Sequence, residues 1–75
     1  MKEELKLKVN ELKRDNIIDH AEKLFSELGI ENTTMDIIAK DTGISKRTVY
    51  TYFSSKTELY QAILYRANKE MYEYF

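Results

Sequence analysis

The residues best suited to chemistry form a short run of hydrogen-bond donors, residues 45–48, in the middle of the chain. Lys46 and Arg47 carry the positive charge of this run, and a hydroxyl-bearing residue stands on each side of them. The run belongs to a stretch, residues 42–57, that contains no acidic residue, although the whole chain has a formal net charge of −1. Positive charge gathered locally in this way indicates a surface that meets an anionic partner such as nucleic acid.

Residues for other kinds of chemistry are sparse. His20 is the sole histidine and the chain has no cysteine, so neither a metal site nor a disulfide is predicted. Acidic pairs such as Glu3 with Glu4 have no nucleophile or glycine-rich loop close to them. We therefore expect no catalytic residues, no metal and no enzyme activity, and we interpret His20 as a surface residue of the first helix.

The length and composition predict one small helical domain. The chain has 75 residues, no proline and two glycines, which is typical of an all-α protein. No apolar run approaches the ~20 residues that span a bilayer, and the N-terminus lacks the apolar core of a signal peptide. We expect a cytoplasmic protein that makes no contact with a membrane.

The first helix is predicted from an apolar stripe that ends just before Gly29, a residue suited to the left-handed position after a helix. The stripe consists of Ile17, Ile18, Ala21, Leu24, Phe25 and Leu28. A looser stripe of Leu5, Val9 and Leu12 precedes it. Residues 1–12 are therefore either a partly helical arm that continues the first helix, which we favour, or a frayed charged segment.

Two short helices are predicted next. Thr33 and Thr34 offer hydroxyls to cap a second helix, with Ile37, Ile38 and Ala39 facing inward, and Asp36 favours its dipole. That helix ends near Gly43, where glycine permits a compact turn. Ile44 plugs the turn, and Ser45 caps a third helix that runs through Phe53. Residues 13–55 are thus a three-helix domain with a homeodomain-like helix-turn-helix.

A fourth helix is predicted over residues 56–75, because Ser55-x-x-Glu58 has the form of a capping box. Its apolar positions are Leu59, Ile63, Ala67, Met71 and Tyr74. No stop signal precedes Phe75, so we expect this helix to lead into a C-terminal domain that is absent here. An unusual number of aromatic residues supports the same expectation: Tyr60, Tyr65, Tyr72, Tyr74 and Phe75.

Three segments carry a resemblance: Thr34-Met35-Asp36-Ile37-Ile38-Ala39, Gly43-Ile44-Ser45-Lys46-Arg47-Thr48-Val49-Tyr50 and Tyr52-Phe53-Ser54-Ser55-Lys56-Thr57-Glu58-Leu59. They are similar to the signature of the TetR family of bacterial transcription regulators, roughly Thr-x-x-x-Ile-Ala, Gly-Val-Ser-x-x-Thr-Leu-Tyr and Tyr-Phe-x-Ser-Lys-x-x-Leu. The similarity covers about residues 13–64, through Arg14, Ile17, Ala21, Phe25 and Gly29. It departs at Thr42, Ile44 and His20, none of which belongs to the DNA-facing set.

The resemblance implies a role for each donor near the turn. Base contacts in the major groove would come from Lys46, Arg47, Tyr50 and Thr51. Phosphate contacts would come from Thr34, Ser45, Thr48, Tyr52 and Lys56. Lys56 is suited to this role independently, because it follows the cap of a helix whose N-terminal amides point outward. Gly43 and Ile44 would shape the turn between the two helices.

The resemblance also implies how the whole protein works. Two copies would form a homodimer that places its recognition helices on a near-palindromic operator in double-stranded DNA. A small-molecule effector, of unknown identity and bound in the absent C-terminal domain, would release a repressor from DNA. Two alternatives stay open: an activator on the same fold, and a helical bundle that docks a protein partner through its aromatic fourth helix.

Overall fold

The computed structural model describes the backbone of residues 2–73 and the side chains of residues 8–69, and over this range it contains helices and no strand. The four helices are α1 (Lys2–Leu28), α2 (Met35–Thr42), α3 (Lys46–Tyr52) and α4 (Lys56–Glu73). The all-α prediction is confirmed. The side chains of Leu5, Met71 and Tyr72, and all of Tyr74 and Phe75, lie outside the described residues.

The first helix is longer than its strongest apolar stripe. Residues 2–12 lie within α1, which has 27 residues. The side chains of Val9 and Leu12 in this N-terminal part are exposed, and so is Leu28 at the other end. The middle of α1 therefore supplies the buried surface.

The core lies where α1, α2, α3 and α4 meet. Its members are Ile17, Ile18, Ala21, Leu24, Met35, Ile38, Ala39, Val49, Phe53 and Leu59. Because α3 contributes only Val49 from within the helix and Phe53 just after it, most of its surface stays outside the core. The core thus supports α3 from one side and leaves the other side to solvent.

The connection between α1 and α2 is held by Thr33, the buried polar residue of the described chain. Its hydroxyl lies 2.8 Å from the carbonyl oxygen of Gly29 and 3.3 Å from that of Leu24, and it can donate to either. Gly29 takes φ 85°, the left-handed conformation predicted for it, and its N–H donates to Phe25. This bonding fixes where α2 begins relative to α1.

Two details of α2 differ from the sequence prediction. Ile37 was predicted to face inward, but it is 36% exposed. Met35 takes an inward position instead, because the face of an eight-residue helix that meets the core also includes Ile38 and Ala39. Of the two threonines predicted to cap α2, only Thr34 does so: its hydroxyl accepts from the N–H of Ile37 at 3.1 Å, whereas the hydroxyl of Thr33 lies against the carbonyls of Gly29 and Leu24.

The start of α4 is capped in a modified way. The hydroxyl of Ser55 accepts from the N–H of Glu58 at 3.2 Å, as in a capping box. The carboxylate of Glu58, however, accepts from the N–H and hydroxyl of Ser54, one residue earlier than the box requires. Both groups favour the charged carboxylate, so the Ser54 hydroxyl, followed by its N–H, lowers the pKa of Glu58.

Side chains also join α4 to α1. The guanidinium of Arg66 donates to Asp19 at 2.6 Å and to Glu22. Phe25 meets Tyr60 edge-to-face with ring centroids 6.2 Å apart, which accounts for one of the aromatic residues of α4. Tyr65 is 71% exposed. His20 lies partly buried at the α1–α2 contact, where its Nδ1 is 2.6 Å from the carboxylate of Asp41.

Candidate nucleic-acid interface

The turn between α2 and α3 is built by residues 42–45. Gly43 takes φ 76° at the end of α2, and its N–H donates to the carbonyl of Ala39 at 3.0 Å. The hydroxyl of Thr42 then accepts from the N–H of Ile44 at 3.0 Å. Ile44 packs against the core while remaining partly accessible, as expected of the residue that plugs the turn. These contacts fix the direction in which α3 leaves the turn.

Ser45 and Thr48 form the cap of α3. The Ser45 hydroxyl accepts from the N–H of Thr48 at 3.2 Å and donates to the Thr48 hydroxyl at 2.8 Å. Both residues were predicted to contact phosphate, and the structure gives each of them a capping role as well. Their hydroxyl oxygens stay at the accessible start of α3, since Ser45 is exposed and Thr48 is half-buried.

The exposed face of α3 carries the four residues predicted to contact bases. Lys46, Arg47, Tyr50 and Thr51 are all exposed, while Val49 between them is fully buried. The hydroxyl of Thr51 donates to the carbonyl of Arg47 at 3.0 Å, so its oxygen can still accept a hydrogen bond from a partner. The helix therefore presents a cation-rich, donor-rich surface on a buried anchor, the arrangement needed to enter a DNA groove.

Lys46 is paired with an acidic residue that sequence reasoning had assigned to the helix dipole alone. Its Nζ lies 2.8 Å from Oδ1 of Asp36 in the first turn of α2, and both side chains are more than half exposed. The hydrogen bond and the charge of Asp36 raise the pKa of Lys46. The ammonium of Lys46 is therefore directed toward the start of α2.

Two residues that were predicted to contact phosphate form hydrogen bonds with distant parts of the chain. The hydroxyl of Tyr52 donates to Oδ1 of Asn10 on α1 at 3.1 Å. The ammonium of Lys56 donates to the carbonyl oxygen of Ile30, between α1 and α2, at 2.6 Å. Neither partner was foreseen, because a residue separation of 42 or 26 leaves no local pattern in a sequence.

These bonds join the start of α3 to the start of α2, and the start of α4 to the loop between α1 and α2. Lys56, at the start of α4, contacts the loop that leads to the Thr34 cap of α2. Lys46, at the start of α3, contacts Asp36 in the first turn of α2. Most of the predicted residues thus lie at or near helix starts that are joined by side-chain bonds. Tyr50 and Thr51 lie near the other end of α3, and Tyr52 joins that end to α1.

Arg14 supports the far end of α3. Its guanidinium carbon lies 5.2 Å from the centre of the Phe53 ring, in the geometry of a cation–π contact. Phe53 is also the C-terminal cap of α3, whereas the sequence prediction had continued the helix through it. Its backbone is extended, and its ring belongs to the core.

A short helix that follows a compact glycine turn, rests on the core and presents donors outward defines a helix-turn-helix domain. The family model described as "Bacterial regulatory proteins, tetR family" matches residues 17–63, well over half of the chain. The chain belongs to this family, and the resemblance inferred from its motifs is confirmed.

Two curated bacterial relatives share the same region. "Uncharacterized HTH-type transcriptional regulator YhgD" of Bacillus subtilis (strain 168) is 42% identical over 55 residues, which are 73% of this chain and 29% of that protein. "Biofilm operon icaADBC HTH-type negative transcriptional regulator IcaR" of Staphylococcus aureus (strain Newman) is 48% identical over 48 residues, 64% of this chain and 26% of that protein. The matched region is thus under a third of the length of either relative.

Proposed function

We propose that this chain is the DNA-binding domain of a transcriptional repressor that recognises a specific sequence in double-stranded DNA. The observation that carries the proposal is the position of Arg47 and Tyr50 on the exposed face of α3, opposite the buried Val49. In helix-turn-helix proteins this face of the second helix enters the major groove. The name of the Staphylococcus relative, a negative regulator, favours repression over activation.

In the proposed complex, each donor has the role expected from the family signature. Lys46, Arg47, Tyr50 and Thr51 contact base edges, and Arg47 is suited to bidentate bonding with guanine O6 and N7. Phosphates are held by the residues at the helix starts and by Tyr52, namely Thr34, Ser45, Thr48, Tyr52 and Lys56. Lys56 would exchange its bond to the Ile30 carbonyl for a bond to phosphate, a stronger acceptor.

The rest of the mechanism belongs to the whole protein, and we propose it on the family resemblance. The protein acts as a homodimer on a near-palindromic operator, with its two recognition helices about one turn of DNA apart. A small effector bound outside this domain changes the separation of the two heads and releases the DNA. We place this activity in the cytoplasm, and no helix of the described residues has the length and apolarity to cross a bilayer.

The test is binding of this chain to duplexes selected from a random pool, measured by fluorescence anisotropy at several salt concentrations. Arg47→Ala should weaken binding to the selected duplex by roughly 1–3 kcal/mol, because the O6 and N7 acceptors of a guanine would lose the two hydrogen bonds that the guanidinium donates. Binding should also weaken steeply with added salt as counterions are released from the DNA.

The residues proposed to contact DNA form the donor surface: Thr34, Ser45, Lys46, Arg47, Thr48, Tyr50, Thr51, Tyr52 and Lys56. Lys69→Ala is the matched control, since Lys69 is an exposed cation on α4 that does not belong to this surface. It should leave the preference for the selected duplex unchanged. Equal effects of the two substitutions would contradict the proposal. A protein-docking bundle would instead give no selected duplex and would depend on exposed aromatic residues such as Tyr65. A reporter gene under the selected operator separates repressor from activator.

A further inference from the structure

A carboxylate that the proposed function does not use lies beside the donor surface. Asp36 extends from the first turn of α2, and its Oδ1 lies 2.8 Å from Nζ of Lys46. Its side chain is 67% exposed and that of Lys46 is 58% exposed. Because Lys46 lies on the exposed face of α3, the carboxylate bonded to it lies beside the surface that would face DNA. Residues 42–57 contain no acid, so Asp36 enters this surface from a different helix.

A carboxylate in this position disfavours the binding of DNA. When the duplex arrives, its phosphates bring negative charge toward Asp36, while Lys46 is drawn both to the phosphates and to Asp36. Exposed ion pairs of this type are weak, so the pair itself does not prevent binding. The charge of Asp36 nevertheless remains at the interface, where it disfavours every duplex that offers it no hydrogen-bond donor.

The major groove contains such donors on only some bases. The N4 amino group of cytosine and the N6 amino group of adenine donate there, whereas guanine and thymine present acceptors. An ionised carboxylate is an acceptor only, and the ammonium of Lys46 is a donor only. Because the two side chains are adjacent, they suit a pair of neighbouring bases: the carboxylate would accept from an amino group on one base, and the ammonium would donate to an acceptor on the next.

We propose that Asp36 is a specificity-determining residue, whose carboxylate restrains Lys46 and accepts a hydrogen bond from an exocyclic amino group of cytosine or adenine in the major groove. This inference rests on the proposed function and deepens it. Asp36 lowers the affinity for duplexes in general and recovers that affinity where the amino group is present. Specificity then comes partly from rejecting wrong sequences.

The experiment compares duplex selection by the unaltered chain, Asp36→Ala and Asp36→Asn. The unaltered chain should select cytosine or adenine at the position that Asp36 contacts. The base that is selected shows whether the amino group belongs to cytosine or to adenine. Asp36→Ala should lose the preference there. Asp36→Asn should shift it toward adenine, because an amide can both accept from N6 and donate to N7.

Affinity for a duplex of scrambled sequence supplies a second measurement. Both variants should bind it several-fold more tightly than the unaltered chain does. The salt dependence should steepen by about one released counterion, because Lys46 becomes available to phosphate. The ratio of affinities for the selected and scrambled duplexes should fall about tenfold. Asp36→Asn nearly preserves the shape of the side chain, so it keeps the test decisive if Asp36→Ala does not fold.

Asp15→Asn is the control, since it removes the same charge from an exposed position on α1, beside the groove lined by Val9 and Leu12. It should leave the affinity ratio and the selected sequence unchanged. Identical selected sequences for the unaltered chain and both Asp36 variants would overturn the inference. This outcome would leave the proposed function intact, provided that Arg47→Ala still weakened duplex binding. If the proposed function itself were wrong, Arg47→Ala would leave duplex binding unchanged as well.

Discussion

Thr33 shows how much a single hydroxyl can determine in a domain of this size. It is fully buried, and carbonyl oxygens of Leu24 and Gly29 lie within hydrogen-bonding distance of its hydroxyl at the point where the chain turns from α1 to α2. A buried hydroxyl without a partner is unfavourable, and so are carbonyl groups that lose their donor. Thr33 therefore acts as a structural residue, while its neighbour Thr34 caps α2 at the surface.

Thr33→Val should destabilise the domain by roughly 1–2 kcal/mol, because valine has the same shape but donates no hydrogen bond. For a domain of 60–100 residues, that corresponds to a fall in melting temperature of about 4–8 °C per kcal/mol. Thermal unfolding followed by circular dichroism measures it. Thr57→Val, at an exposed position of α4, should change stability by no more than about 0.5 kcal/mol. Equal losses in the two variants would refute this role.

The donor residues of the interface could be identified from the sequence, but their partners could not. Lys46 and Arg47 are recognisable because they follow a turn glycine and a capping serine at short, fixed spacing. The bond from Lys56 to Ile30 and the bond from Tyr52 to Asn10 depend instead on how α4 and α1 pack. Asp36 was read as a dipole partner of its own helix, since nothing local indicates that α3 brings a lysine within 2.8 Å.

At the scale of elements, helix starts were predictable because capping is local. Thr34, Ser45 and Ser55 each accept from an N–H three residues later, as their sequence positions indicated. Helix faces were harder to predict. In α2, Ile38 and Ala39 face the core as predicted, but the third inward position belongs to Met35, and Ile37 is exposed. An eight-residue helix with three consecutive apolar residues does not specify its buried face without the helices it packs on.

The start of α4 should make stability depend on pH. The hydroxyl and N–H of Ser54 lower the pKa of Glu58 in the folded chain, so the folded state favours the charged carboxylate. The resulting stabilisation is present above the ordinary value of 4.5 and is lost as the pH falls through the lower folded pKa. Glu58→Gln should therefore lower the melting temperature at neutral pH and have little effect in strong acid.

Melting curves from neutral pH down to acid measure this effect. Ser54→Ala removes the hydroxyl but keeps the N–H, so it should reproduce part of the loss caused by Glu58→Gln and show the same sign. If Glu58→Gln lowered the melting temperature equally at all pH values, the carboxylate would act through its size or shape, and the assignment to Ser54 would be wrong.

At the scale of the whole molecule, four helices share one small core, so stability rests on few side chains. Among the described side chains of α4, Leu59 is the fully buried one, and Ala62 and Ile63 pack against the core beside it. The bonds from Arg66 to Asp19 and Glu22 add to the contact of α4 with α1 from outside. Exposed ion pairs contribute little, typically up to about 1 kcal/mol. The attachment of α4 to α1 therefore depends mainly on apolar packing.

Leu59→Ala should destabilise the domain by roughly 2–5 kcal/mol, from lost burial and the cavity left behind. A domain of this length has a total stability of about 4–11 kcal/mol, so a large part of it would be lost. Denaturant unfolding gives the difference. Leu64→Ala is the matched control, because Leu64 lies on the same helix and is 45% exposed. A similar loss at both leucines would mean that the burial of Leu59 does not account for its contribution.

Several side chains of the interface are already bonded to other parts of the protein, and this affects the thermodynamics of DNA binding. Lys46, Tyr52 and Lys56 are each held by another part of the protein before any duplex arrives. Complex formation would therefore exchange one set of polar partners for another, and the heat released by these contacts would be small. Part of the ordering entropy of these side chains is lost on folding and not on association. The favourable free energy of binding would then come mainly from the entropy of counterions released from the DNA. Calorimetry would measure this as a small binding enthalpy and a large favourable entropy.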